Sequence, residues 1–353
     1  MSEDKLSFVV PYRDRDVSRI ENLLNSIRMT TNFPFEFIVS DYGSQPAYAQ
    51  RLLQSAEKSG YRVARSEAQG LPWNRAQAIN NGVRSSQAPL IVVVDADMEF
   101  ADRSIEYLVS RIQKDEVWFF ESLWPQSPRQ DPRRGLVGRS PGAFMMLGRE
   151  WFERLQGMCE DFEFWGAEDT EWLGRLEGAG CRVQWLSHHD FLLFHTWHES
   201  DNSTVRRPFT AVSEAVEIEC RTVWKGYQKK DWGRCLTLAE RPVLPAMRRE
   251  DVVVLDTQVS EQAVWLRLLK EHLDQGLCVR LELGPRVIPR ALTRFAGLWK
   301  SVENFANRFS LKFEVTVNGR LETVLSLRKV IGPEALDVFI APDYSFVYLV
   351  LKK

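Results

Sequence analysis

The stretch VVVDADMEF, residues 92–100, runs an apolar segment straight into two carboxylates one residue apart. With Ile91 ahead of it, the run offers four consecutive aliphatic residues, Ile91–Val94, as a strand buried on both faces would. Asp95 and Asp97 then stand at the carboxyl end of that strand. Burying unpaired carboxylates costs several kcal/mol, so an arginine, a metal ion or solvent has to meet them.

Upstream the same pattern recurs. KLSFVVPY (5–12) reads as a strand, and Val17, Ile20, Leu23, Leu24 and Ile27 recur at helical spacing over residues 17–29. FEFIVSD (35–41) is a second strand, followed by a helix through AQRLLQSAEKSG (49–60) that ends on Gly60. A third strand at 61–64, a helix over 74–86 and the strand PLIVVVD (89–95) complete the series. Strand and helix in alternation imply a parallel sheet covered on both faces, with ligands bound outside the carboxyl ends of the strands. Tyr12 to Arg15, Asp41 and the Asp95/Asp97 pair all fall there.

Downstream the pattern loosens into a helix, the strand VWFFESL (117–123) and the proline- and arginine-rich WPQSPRQDPRRGLVGRSPG (124–142), a surface loop with local positive charge. A helix over 208–229 leads to DWGRCLTLAERPVLPAMRRED, where residues 236–249 form a linker. Residues 1–235 thus make one domain and 250–353 a smaller α+β domain. The latter holds strands VVVLD and CVRLEL, a helix from about Glu261 to Gln275, and a hairpin across Asn318-Gly319 in FEVTVNGRLETVLSL.

Composition narrows the function. Of 353 residues, 44% are hydrophobic and 27% charged, as in an ordinary globular protein, and a net charge of -2 gives no drive toward nucleic acid or anionic membrane. The start, MSEDKLSFVVPYR, lacks a signal peptide's basic and apolar segments, and no window reaches membrane-span length, so a cytoplasmic protein is expected. Five widely spaced cysteines without a CxxC pair suggest neither a disulfide framework nor a zinc-thiolate site.

Taken alone, Asp-x-Asp at a strand end is as readily a turn cap beside a solvated acid. An aspartyl-nucleophile phosphatase uses the same pair, but with Thr or Val two residues on, where this chain has Glu99. Two further stretches supplement the pair. FHTWH (194–198) sets His195 and His198 three apart, and two imidazoles with a carboxylate suit a borderline or hard divalent ion such as Mn²⁺. FWGAEDTEW (164–172) brings Trp165, Glu168 and Asp169 ahead of a helix beginning near Thr170. An aromatic plate beside two acids is what a sugar-handling site needs, although acids at a helix start also serve simply as dipole partners.

Together with VVPYRDRD, WNRAQAINNGV and SPGAFMMLGREWF, these segments resemble the metal-dependent, inverting glycosyltransferases of the GT-A fold, nearest to the β-1,4-galactosyltransferases and the bacterial family 2 enzymes. The resemblance runs in order from about Leu6 to His198. It implies an α/β fold of the GT-A type, a Rossmann-like mixed sheet. It also implies a UDP-sugar donor, a glycan or other hydroxyl acceptor, and Mn²⁺ or Mg²⁺.

Residue by residue, the resemblance implies that Pro11, Tyr12, Arg13 and Arg15 contact the donor's uridine diphosphate, with Trp73, Arg75, Asp95 and Ala96 also on the nucleotide side. Asp97 and His198 match metal ligands, and His195 replaces a methionine that is also a ligand. Trp165 matches a mobile tryptophan over the donor, Glu168 an acceptor-binding acid and Asp169 the catalytic base. Ser140, two positions before Gly142, stands where the galactosyltransferases carry a tyrosine that crowds the substituent on C2. A serine there would admit N-acetylhexosamine donors alongside galactose. Two other classes stay open: a catalytically silent nucleotide-sugar-binding scaffold, and a sugar nucleotidylyltransferase, whose Gly-rich phosphate loop VVPYRDRD lacks.

Overall fold

The computed structural model describes residues 6–162, 168–197, 227, 229–242, 252–254, 271–273, 275, 278–282, 336–340 and 346–351. The chain divides into two compact units, residues 1–199 with 216–243, and residues 200–215 with 244–353. No helix among the described residues is long and apolar enough to cross a membrane.

In the first unit the strand and helix series follows the apolar periodicity closely. The elements are β1 (Leu6–Tyr12), α1 (Val17–Thr30), β2 (Phe35–Tyr42), α2 (Pro46–Ser59), β3 (Arg62–Ser66), α3 (Arg75–Ser85) and β4 (Leu90–Val94). Local chemistry sets their ends. The Asp16 side chain accepts from the Ser18 amide to cap α1, Asn74 accepts from Gln77 to cap α3, and α2 closes on Gly60 in the left-handed conformation.

Beyond β4 come β5 (Met98–Phe100), α4 (Ser104–Arg111), β6 (Glu116–Phe120), β7 (Ser122–Trp124), β8 (Leu136–Gly138), β9 (Phe144–Gly148), α5 (Arg149–Arg154), α6 (Glu168–Gly178), β10 (Arg182–Leu186) and β11 (Leu193–His195). The central sheet has the order β10-β6-β9-β4-β1-β2-β3. Strand β9 runs antiparallel to both β4 and β6, while the other pairings are parallel. The sheet is therefore mixed, not the parallel one that alternation alone implies. The residue alternation of β1 covers both faces: Phe8 and Val10 pack with Ile20, Leu23, Leu24 and Ile27 of α1, whereas Val9 packs with Ala76, Ile79 and Val83 of α3 and Trp172 of α6.

A second sheet, β5-β11-β7-β8, lies beside the end of β4. It corrects the reading of residues 124–142 as plain loop, because Leu136–Gly138 pairs antiparallel with Ser122–Trp124. The far end of that basic segment is fixed as well: the Arg139 guanidinium lies 4.9 Å from the Trp185 ring centroid and 3.6 Å from Glu121.

The second unit contains β12 (Val252–Val254), β13 (Cys278–Glu282), β14 (Leu336–Ile340) and β15 (Phe346–Leu351) in a four-stranded sheet of order β12-β13-β15-β14. β12 and β13 pair in parallel and the other two pairings are antiparallel. The hairpin at Asn318-Gly319 lies outside the described residues, as do most of the helices expected over 208–229 and 261–275.

Candidate active site

The acid pair at the end of β4 is met by two arginines. Arg75, the first residue of α3, donates from Nε (3.2 Å) and Nη2 (2.8 Å) to Asp95 Oδ1. The same guanidinium donates from Nη1 to Glu168 Oε1 at 3.2 Å and from Nη2 to the Gly142 carbonyl. One planar fork thus gathers positions 75, 95, 142 and 168, which come from four separate segments. Its donors are shared among three protein acceptors, a geometry that lysine could not reproduce.

The start of α6 is two residues earlier than expected, at Glu168, so Glu168 and Asp169 both sit in its first turn. Glu168 is buried, and that burial, reinforced by the Asp169 charge, lifts its carboxyl to about 7 although Arg75 opposes the shift. Burial also raises Asp95, with Arg75 opposing and the Asp97 charge adding to the rise. Its side chain keeps 36% of its surface accessible, which limits how far desolvation can act there.

Asp169 faces the 140–142 segment. A side chain begun at Gly142 would meet Asp169 Oδ2 at 2.8 Å and Ser140 Oγ at 3.6 Å, so glycine leaves room for the acid. The other oxygen, Oδ1, accepts from the Thr170 amide at 2.8 Å. Ser140, Gly142, Glu168 and Asp169 are therefore neighbours.

Asp97 belongs to a different setting. Thr196 donates its amide to the Asp97 carbonyl at 2.7 Å, and β5 pairs with β11 so that His195 lies opposite Met98. His195 Nε2 comes to 3.6 Å from Asp97 Oδ2, and its ring stacks on Trp124 with centroids 3.9 Å apart. The same Oδ2 accepts from Arg19 Nη1 of α1 at 3.4 Å. Asp97 and His195 present one hard oxygen and one borderline nitrogen side by side, a donor pair that fits Mn²⁺ better than the oxygen-seeking Mg²⁺. Among the described residues no further His, Cys, Asp or Glu completes a set of three. His198 and Trp165 lie outside the described residues.

The nucleotide-side residues gather at the end of β1. Pro11 and Tyr12 close the strand opposite Ser40 and Asp41 of β2. The Tyr12 hydroxyl, raised by burial and by the Asp41 charge, donates to the Arg15 carbonyl. Arg13 donates from Nη1 to the Leu71 carbonyl at 2.8 Å, tying β1 to the loop that carries Trp73, itself edge-on to Tyr42 at 6.0 Å. Ala96 is buried between the two acids. Asp41 is engaged by Arg65 and by the Ser44 amide, which makes it a structural anchor of this rim.

Sequence reasoning missed Arg19, Trp124 and Arg65. A helix that leaves the carboxyl end of a central strand directs its first turn at the strand-end rim, and that was the available signal for Arg19.

Residues 7–160 match the glycosyl transferase family 2 model, and residues 137–199 match the model described as the N-terminal domain of galactosyltransferase. Chondroitin synthase of Pasteurella multocida (strain Pm70) is 20% identical over 225 residues, covering 50% of this chain but only 23% of that protein. Among solved structures, the catalytic domain of Drosophila β1,4-galactosyltransferase 7, complexed with xylobiose, shares 19% identity at a TM-score of 0.36, covering 52% of this chain and 64% of that one. Residues 1–349 of S. aureus TarS, in complex with UDP-GlcNAc, share 19% identity at a TM-score of 0.46, covering 62% and 65%. The central sheet is mixed, with acids at the carboxyl end of its central strands, as the sequence reading of an α/β fold implies.

Proposed function

We propose that residues 7–199, of which 7–160 match the family 2 model and 137–199 the galactosyltransferase model, form a glycosyltransferase domain that, within a catalytic region spanning residues 1–235, moves a hexose or N-acetylhexosamine from a UDP-sugar to an acceptor hydroxyl with inversion. The observation that carries this reading is the Arg75 fork, which joins Asp95, Gly142 and Glu168 into one cluster beside Asp169.

In this reading Asp169 accepts the proton of the acceptor hydroxyl. The acceptor oxygen bonds to the anomeric carbon as the bond from that carbon to the diphosphate oxygen breaks on the opposite face, and UDP leaves. An α-linked donor then yields a β-linked product. General-base help of this kind contributes about 10² to 10⁴ in rate. Glu168, with its carboxyl lifted to about 7, is the rival base, but its Oε1 is committed to Arg75, whereas Asp169 Oδ2 faces Gly142 and Ser140. Glu168 is assigned to orient the acceptor.

Pro11, Tyr12, Arg13, Arg15, Trp73 and Ala96 take the uridine diphosphate. Arg75 acts on the donor through Asp95, and Trp165 closes over it. Asp97 and His195, with His198, would hold the divalent ion, which when bound supplies charge stabilisation for the developing diphosphate. Ser140 in place of a bulky residue supports admission of a 2-acetamido sugar.

The test is UDP release from a panel of UDP-sugars with Mn²⁺, with and without EDTA, against simple hydroxyl acceptors. The expected result is metal-dependent release from UDP-galactose or a UDP-N-acetylhexosamine. Binding of UDP without any release would favour the silent scaffold, and diphosphate-dependent conversion of UDP-sugar to UTP and sugar 1-phosphate would favour the nucleotidylyltransferase.

A further inference from the structure

The two acids of the motif are held by their arginines in contrasting ways. Asp95 shares a mostly buried guanidinium that makes four hydrogen bonds to three acceptors. The contact from Arg19 to Asp97 is one long bond of 3.4 Å between side chains that are 21% and 19% exposed. A bond of that length and exposure is weak and readily exchanged.

Three further observations bear on Arg19. It sits in the first turn of α1, where the helix dipole disfavours a cation, and the charge of the N-cap Asp16 is a second acid acting on it beside Asp97. Together with Asp14, Arg15, Asp16, Tyr48 and Arg51 it lines a surface groove at the start of the helix, whose two carboxylates offer the guanidinium another place to turn. And the oxygen that it holds, Oδ2, is the one that His195 Nε2 approaches at 3.6 Å. A cation taken up by Asp97 and His195 together meets a guanidinium already on that oxygen, and two positive charges repel at such range.

We propose that Arg19 is a built-in counter-cation of Asp97 that competes with the divalent ion and is displaced into the groove when the ion binds. The proposal rests on the reading of Asp97 and His195 as metal ligands. It makes Arg19 a positioning residue: it keeps Asp97 aimed at the site in the metal-free protein and lowers metal affinity in return.

The experiment is Mn²⁺ titration of the full chain followed by the electron paramagnetic resonance signal of free ion, at low ionic strength and without nucleotide. The parent is compared with Arg19→Gln, Arg19→Lys and Asp97→Asn. The expected result is a Mn²⁺ affinity about two- to five-fold tighter in Arg19→Gln, the worth of a partly exposed ion pair, with Arg19→Lys close to the parent. Binding to Arg19→Gln but not to the parent is the stronger form of the same result. Equal or weaker affinity in Arg19→Gln, with Asp97→Asn still impaired, overturns the proposal and leaves the metal site standing. Unchanged binding in Asp97→Asn, or no binding to any variant, instead overturns the metal reading and the proposal with it.

Discussion

The halves of the site around Asp95 and Asp97 are one residue apart in sequence and built on different principles. Around Asp95, groups from β4, α3, α6 and the 140–142 segment converge on one guanidinium inside the core fold. Around Asp97, a three-residue strand pair and a stacked tryptophan position a histidine, and the contact from Arg19 is long, at 3.4 Å. The first arrangement resists change because removing one partner strands a buried charge. The second can trade one cation for another. A transferase needs both, a fixed frame for the reacting atoms and an exchangeable place for the charge that leaves.

The largest expected effect falls in the fixed half. Asp169→Asn keeps the shape but cannot accept the acceptor's proton, so transfer should drop about 10²- to 10⁴-fold while UDP binding, by calorimetry, stays within a few-fold of the parent. Equal transfer rates would remove Asp169 from the role of base.

Next is a direct contrast of the two arginines. Arg75→Met should lower unfolding stability by about 3 kcal/mol, because Glu168 is left buried without its partner. Arg19→Ala should cost under about 1 kcal/mol. Urea denaturation of the two variants side by side checks this, and similar losses would abolish the distinction between the halves.

Gly142→Ala sharpens it further. The added methyl meets Asp169 Oδ2 at 2.8 Å, and the carboxylate tip can swing aside more cheaply than the backbone can move. Stability should stay near the parent while transfer falls about ten-fold through a displaced base. A stability loss larger than the rate loss would place the strain in the backbone instead.

A further effect is a pH dependence. Glu168, at about 7 in the folded chain against an unfolded value near ~4.3, binds more protons folded than unfolded between those limits. Its burial penalty is therefore absent below the unfolded value and grows as pH rises toward 7. Relative to Glu168→Gln, which cannot ionise, the parent should lose stability between pH 5 and 8, read from urea midpoints. A constant difference across that range would mean that Glu168 titrates normally.

Much of the frame was legible. The strands and helices from Leu6 to Val94 follow apolar runs bounded by recognisable caps, and an arginine was one of the three partners expected for the acids, beside a metal ion and solvent. Direction was not legible: FMMLG reads as a buried strand, but nothing in an apolar run says that β9 inserts antiparallel between β4 and β6. The exposed residues of β8, Leu136 at 63% and Val137 at 50%, lack the alternation that marks a half-buried strand. The site was legible in part. Glu168, Asp169, Ser140 and Gly142 converge because turns and a helix start bring them together, whereas Arg19 and Asp97 are 78 residues apart and joined by a surface side chain that leaves no periodic trace. Trp165 and His198 fall outside the described residues.

The proposed reaction is a single displacement at the anomeric carbon. The most direct test is the ¹H NMR spectrum of the sugar product at the start of turnover from an α-linked UDP-sugar with Mn²⁺, before any released sugar mutarotates. A single displacement predicts the β anomer. Initial formation of the α anomer would contradict it.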